Sequence, residues 1–170
     1  MAQVLFIIAQ HDFRDEELLE PKQVLENAGH TCHVASTSTE PAYGMLGVIV
    51  DPDVAFDEVD IKAYRAVVVV GGRGSPALAQ NENVISVLQQ ANEQGKLIAS
   101  ICLGGVVLAK ARVLTGKKAT VFKTPDSVKI LKENGVNFVD LPLVTDSGLV
   151  TAQGPQQAKE FGKKLVEMLR

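Results

Sequence analysis

The chain has 170 residues, 46% of them apolar and 22% charged, which suffices for one sizeable core and not for two, so a single domain over residues 1–170 is expected. Its formal net charge of -3 comes with Lys and Arg scattered rather than clustered, which argues against nucleic-acid binding. No stretch reaches the ~20 apolar residues of a membrane span, and Cys32 and Cys102, far apart and without CxxC or a nearby His at ligand spacing, form neither a metal site nor a disulfide framework. These features suit a cytoplasmic protein with no cofactor.

From the first residue, short apolar runs alternate with longer periodic stretches. Val4–Ala9 reads as a buried strand rather than a signal peptide, since it lacks a basic lead and a cleavage site. Asp15–Ala28 reads as a helix closed by Gly29, and Thr31–Ala35 as a second strand. Tyr43–Phe56, with its glycines and the Asp51-Pro52-Asp53 turn, reads as a hairpin inserted beside the main sheet and offers an interface. The sheet resumes at Ala66–Val70. A helix capped by Asn81 runs to Gln94, Lys96–Ile101 is the next strand, and Leu103–Ala111 the next helix. A strand at Ala119–Phe122, a helix at Asp126–Asn134 and strands at Val139–Thr145 and Leu149–Thr151 follow. Pro155 opens a last amphipathic helix with Phe161, Leu165 and Met168 or Leu169 on its apolar stripe. This order predicts an α/β sandwich of three layers, with a mostly parallel sheet between helices. In such sheets ligands bind at the carboxyl ends of the strands.

Cys102 falls between an apolar strand and an apolar helix, with Ser100 and Gly104 two residues away on either side. Small residues there permit the tight turn of a nucleophile elbow, which lifts its central side chain above the sheet. The amino end of the following helix favours a thiolate at that point. A second strand-end loop, Val70-Gly-Gly-Arg-Gly-Ser-Pro76, brings Gly71, Gly72 and Arg73 to the same edge, and the N–H groups of Gly72 and Leu103 are candidates for an oxyanion hole. The plain alternative is an inert, buried thiol beside an ordinary tight turn.

At the end of the first strand, Gln10-His-Asp-Phe-Arg-Asp-Glu-Glu places two glutamates at a helix start. Helical periodicity puts Glu16 on a solvated stripe and Glu17 at the edge of the buried face, above Pro21. Pro21 cannot donate to the carbonyl of Glu17, so a kink that frees polar groups is expected there. Glu17 is therefore the candidate partner of Cys102, as a half-buried carboxyl of raised pKa; the alternative is a glutamate that only favours the helix dipole. His11 is a possible accessory at the same strand end, while His30, His33 and Cys32 read as structural.

Together, Phe13-Arg-Asp-Glu-Glu17-Leu, the glycine loop, Ala99-Ser-Ile-Cys102-Leu-Gly and Gly116-Lys-Lys-Ala-Thr120 resemble the ThiJ/PfpI superfamily over essentially the whole chain. The resemblance implies a flavodoxin-like sandwich, a homodimer or larger homo-oligomer, and contact between Glu17 and the Cys102 sulfur. Two positions depart from its peptidase-like members, which carry a histidine after the cysteine and a glutamate in the glycine loop: here they hold Leu103 and Pro76. A Cys-His-Glu triad cannot be drawn from these positions. Nor does Phe122-Lys-Thr-Pro-Asp supply the later histidine of other members.

Three functions compete. The first is glyoxalase- or deglycase-type chemistry on a small electrophile or a glycated protein, with Cys102 adding to an aldehyde and Glu17 moving the proton. The second is a non-enzymatic redox sensor or chaperone-like protein acting through oxidation of Cys102. The third, a cysteine peptidase or amidase, requires a further base such as His11.

Overall fold

The structure is a computed structural model covering residues 1–170. Strand β1 (Gln3–Ile7) leads to β2 (His11–Phe13), helix α1 (Asp15–Asn27) and β3 (Thr31–Ser36). Strands β4 (Ala42–Gly44), β5 (Ile49–Val50) and β6 (Val54–Ala55) precede β7 (Ala66–Val69), α2 (Glu82–Glu93), β8 (Leu97–Ile101) and α3 (Gly104–Lys110). The chain ends with β9 (Lys118–Ala119), α4 (Pro125–Glu133), β10 (Asn137–Phe138), β11 (Leu143–Asp146), β12 (Leu149–Ala152) and α5 (Ala158–Met168).

The central sheet has the order β11-β12-β8-β7-β1-β3-β6. Every neighbouring pair is parallel except β11 and β12, which the Asp146–Leu149 turn joins antiparallel. Apolar residues such as Val67, Val68 and Val69 are buried on both faces, which is why these strands read as continuous apolar runs instead of alternating. Alternation decides which layer each residue meets. Leu5, Val67, Val69 and Ile98 pack with α2, α3 and α4, whereas Phe6, Val68, Ala99 and Ile101 pack with α1 and α5. The expected three-layer α/β architecture is the one observed.

Several local expectations need correction. His11–Phe13, read as loop, is a strand, and with β4 and β5 it forms a separate three-stranded sheet. The 43–56 segment is only partly a hairpin: β4 and β5 form one, but β6 joins the edge of the main sheet and buried Phe56 starts a 3-10 turn. The 119–122 strand shortens to β9, which pairs with β10 outside the main sheet. Of the 139–145 segment only residues 143–145 are strand, in β11, and β10 lies just before it. Helix α1 runs unbroken through Pro21. Pro21 is buried, and glycine at 162 lets α5 approach, since a Cβ there would lie 2.9 Å from Pro21 Cα and 3.0 Å from Val24 Cβ. Of the two candidates at the end of α5, Leu169 is buried and Met168 exposed.

Candidate active site

The end of β8 turns into α3 through one strained residue. Cys102 has φ 60°, in the left-handed region that a non-glycine residue seldom occupies, while its N–H donates to Ala152 O at 2.9 Å and its carbonyl accepts from Phe122 N at 3.2 Å. These bonds hold the cysteine backbone against β12 on one side and the 120–124 segment on the other. Gly104 is required because a Cβ there would collide with the carbonyl of Val69, so the elbow closes only over a bare α-carbon.

The glycine loop completes the pocket from β7. A Cβ on Gly71 would stand 2.5 Å from Glu17 Oε1 and 2.6 Å from Cys102 Cβ, so Gly71 lies between the two candidate residues and its missing side chain lets them meet. Gly72 has φ 113°, and a Cβ there would approach the backbone of Asp12–Arg14. The Arg14 N–H donates to Gly71 O at 2.9 Å, tying the start of α1 to this loop.

Glu17 is fully buried, not half-buried at an edge, and neither carboxyl oxygen has a hydrogen-bond partner of ordinary geometry. Burial pushes its carboxyl up to about 7; the Cys102 thiol, the Gly71 N–H and the Arg14 charge only partly offset this. At Cys102, burial and then the Glu17 charge push the thiol up to about 12, against the pull of the Leu103 and Gly72 N–H groups. Burial and the facing charge thus oppose the thiolate that the helix start favours. The N–H groups do act on the sulfur, but desolvation and the facing carboxylate outweigh them. Near neutrality the two groups therefore compete for one proton.

The DJ-1/PfpI family model matches residues 2–168. The chain belongs to the DJ-1/PfpI family. It is 34% identical to a deglycase of Thermococcus kodakarensis over 98% of this chain and 99% of that one. It is 28% identical to a glutathione-independent glyoxalase of Caenorhabditis elegans over 97% and 87% of the two chains. A crystal structure of a ThiJ/PfpI domain protein from Brachyspira murdochii matches with a TM-score of 0.94 at 30% identity, covering 98% of this chain and 95% of that one.

In this DJ-1/PfpI protein the other expected site residues divide. Gly71, Gly72 and Leu103 meet Cys102, as described. His11 is exposed, stacks on Tyr43 with ring centroids 5.6 Å apart, and is not among the charged groups acting on Cys102 or Glu17. The Arg73 side chain is also outside, paired with Asp12 at 3.3 Å, while its N–H donates to Met45 Sδ at 3.3 Å. No three His, Cys, Asp or Glu side chains converge to hold a metal ion.

Two residues escaped notice in the sequence although they lie in the quoted acidic motif. Arg14 favours the ionised form of Glu17 and is itself steered by Glu16, through hydrogen bonds of 3.0 and 2.9 Å. Asp15 is buried and accepts from the N–H groups of Leu46 and Val48 at 3.0 and 2.9 Å, pinning the β4–β5 tip beside the helix start. An aspartate next to a helical glutamate reads as a dipole-favouring residue, so its long-range partners left no local signal.

Proposed function

We propose that this protein carries out deglycase- or glyoxalase-type carbonyl chemistry, with Cys102 as nucleophile and Glu17 as proton carrier. The observation that carries this reading is the Glu17 carboxyl, buried without a partner and separated from Cys102 only by the bare α-carbon of Gly71. A carboxyl of pKa about 7 is matched to taking and returning protons near neutrality. The names of the relatives favour the same chemistry.

As sulfur bonds to the aldehyde carbon, the C=O π pair moves onto oxygen. The thiol proton passes to the Glu17 carboxylate and from there to that oxygen, giving a neutral hemithioacetal. With a 2-oxoaldehyde, Glu17 then moves the C–H proton to the neighbouring carbonyl carbon through an enediol. One carbon is oxidised and its neighbour reduced, so no outside oxidant enters. Water cleaves the resulting thioester, releasing a hydroxy acid and restoring the thiol. The N–H groups of Gly72 and Leu103, which act on the Cys102 sulfur, favour its ionised form as the proton leaves.

The groups acting on Cys102 and Glu17 include no histidine, so a Cys-His-Glu arrangement for peptide hydrolysis finds no support. Methylglyoxal consumption by purified protein tests the proposal. Cys102→Ser should lose at least about a thousandfold in kcat/KM, on the order of losing a covalent nucleophile, while Cys32→Ser stays within about twofold of the parent. Retained turnover in Cys102→Ser would refute the assignment.

A further inference from the structure

A strand-end cleft of about 340 Å³ includes Phe122, Lys123, Gln153, Gln156 and Gln157, but not Cys102, in its lining. Its two walls spring from the bonding partners of Cys102. Phe122 donates its N–H to the Cys102 carbonyl, and Gln153 follows Ala152, whose carbonyl accepts the Cys102 N–H. Such a volume belongs with ligands in the ~300–1,000 Å³ range of small-molecule pockets and is far more than a three-carbon dicarbonyl fills.

The chemistry of the lining narrows the ligand. Lys123 Nζ donates to Asp140 Oδ2 at 2.7 Å and Gln153 Nε2 donates to Asp140 Oδ1 at 2.9 Å, so one carboxylate balances the ammonium and fixes both side chains at the rim. A wall balanced in this way does not select for net charge. The carboxamides of Gln156 and Gln157 bond to nothing within the chain, and Gln157 is half-buried; each offers two donors and an acceptor. The Phe122 ring, 44% exposed, adds an apolar surface. Donors and acceptors without net charge beside an aromatic face match amide or hydroxyl groups joined to short C–H stretches.

We infer that this cleft is a specificity site holding a neutral, hydrogen-bonding substituent of amide or polyol type, carried beyond the carbonyl carbon that Cys102 attacks. This assignment rests on the proposed carbonyl chemistry and deepens it. The preferred substrates are 2-oxoaldehydes with polar tails, not methylglyoxal itself.

The test compares kcat/KM for four 2-oxoaldehydes: methylglyoxal, phenylglyoxal, a six-carbon sugar-derived oxoaldehyde, and an N-acylamino oxoaldehyde. At least one polar-tailed compound should exceed both methylglyoxal and phenylglyoxal, and which one does identifies the tail as polyol or amide. Gln157→Ala and Lys123→Met should each lower the ratio of that compound to methylglyoxal by about three- to tenfold, as expected for one lost hydrogen bond. Preference for phenylglyoxal, or an unchanged ratio in both variants, overturns the assignment. If the parent consumes none of the four, the carbonyl chemistry itself fails, and the cleft is then read by NMR. Side-chain amide shifts at Gln157 on adding N-acetylglycinamide or sorbitol support the binding site, and no shift with either overturns it.

Discussion

Burial raises the Cys32 and Cys102 thiols alike, but their surroundings differ, and the difference shows what makes a reactive site. Burial is the largest cause in both, and both thiols are pushed up to about 12. At Cys32 the surroundings are a half-buried position on β3, the Lys22 carbonyl 3.9 Å from the sulfur, and opposing charges from Glu26 and Lys22. At Cys102 they are a left-handed backbone, two N–H groups acting on the sulfur, and a buried carboxyl that lacks any other partner. A carbonyl cannot take the thiol proton and keep it; a carboxylate can. Reactivity at Cys102 is therefore a property of the pair and is invisible in the acidity of the sulfur alone.

The largest expected effect removes that acceptor. Glu17→Gln should lower methylglyoxal kcat/KM by about 10²- to 10⁴-fold, the usual weight of a general acid–base group, while iodoacetamide labelling of Cys32 is unchanged. Unimpaired turnover would mean that Cys102 loses its proton elsewhere and that the two cysteines differ only in backbone. The parent should also show kcat/KM rising with pH through about 7, since Glu17 accepts a proton only when ionised. A profile flat from pH 6 to 8 would remove Glu17 from the proton path.

The same carboxyl makes a prediction on stability, with opposite consequences for folding and chemistry. Its pKa is about 7 when folded and ordinarily 4.5, so the folded chain holds this proton more tightly between those values. Its stabilising contribution is complete below about pH 4.5 and is lost as pH rises through 7. The loss amounts to about 3 kcal/mol. Glu17→Gln removes the titrating group, so in urea unfolding the variant should gain on the parent from pH 5 to 8 by up to that amount. A constant difference across this range would show that Glu17 does not change protonation there.

The architecture and this pair were legible in the sequence for one physical reason: each is written in local pattern. Continuous apolar runs marked the strands, Asn81 marked its helix start, and small residues around Cys102 marked the elbow. Periodicity also separated Glu17 from Glu16, although it understated the burial of Glu17, which depends on the glycine loop arriving from β7. Long-range partners were not legible. The β2 strand exists because β4 lies beside it, and Asp15 is buried because the 44–48 tip needs two acceptors. The thiol illustrates the same limit: the helix start favoured a thiolate by itself, while burial first and then the facing carboxylate, brought from another layer, oppose it.

The smallest effect tests the other half of the comparison. Lys22 lies within α1, pairs with Glu26 at 2.7 Å, and lowers the Cys32 thiol while Glu26 raises it. Lys22→Ala removes the favourable charge and leaves Glu26 unbalanced, so thiolate at Cys32 becomes rarer. Because the pair is partly solvated, iodoacetamide labelling of Cys32 should slow by no more than about fivefold, and the difference should shrink in high salt. The helix itself should lose only about 0.5 kcal/mol, the worth of one such pair. Lys22 is not among the groups acting on Cys102, so labelling there should be unaltered. Parallel slowing at both cysteines would instead indicate a change spread through α1 to Glu17, and the two sulfurs could no longer be treated as independent.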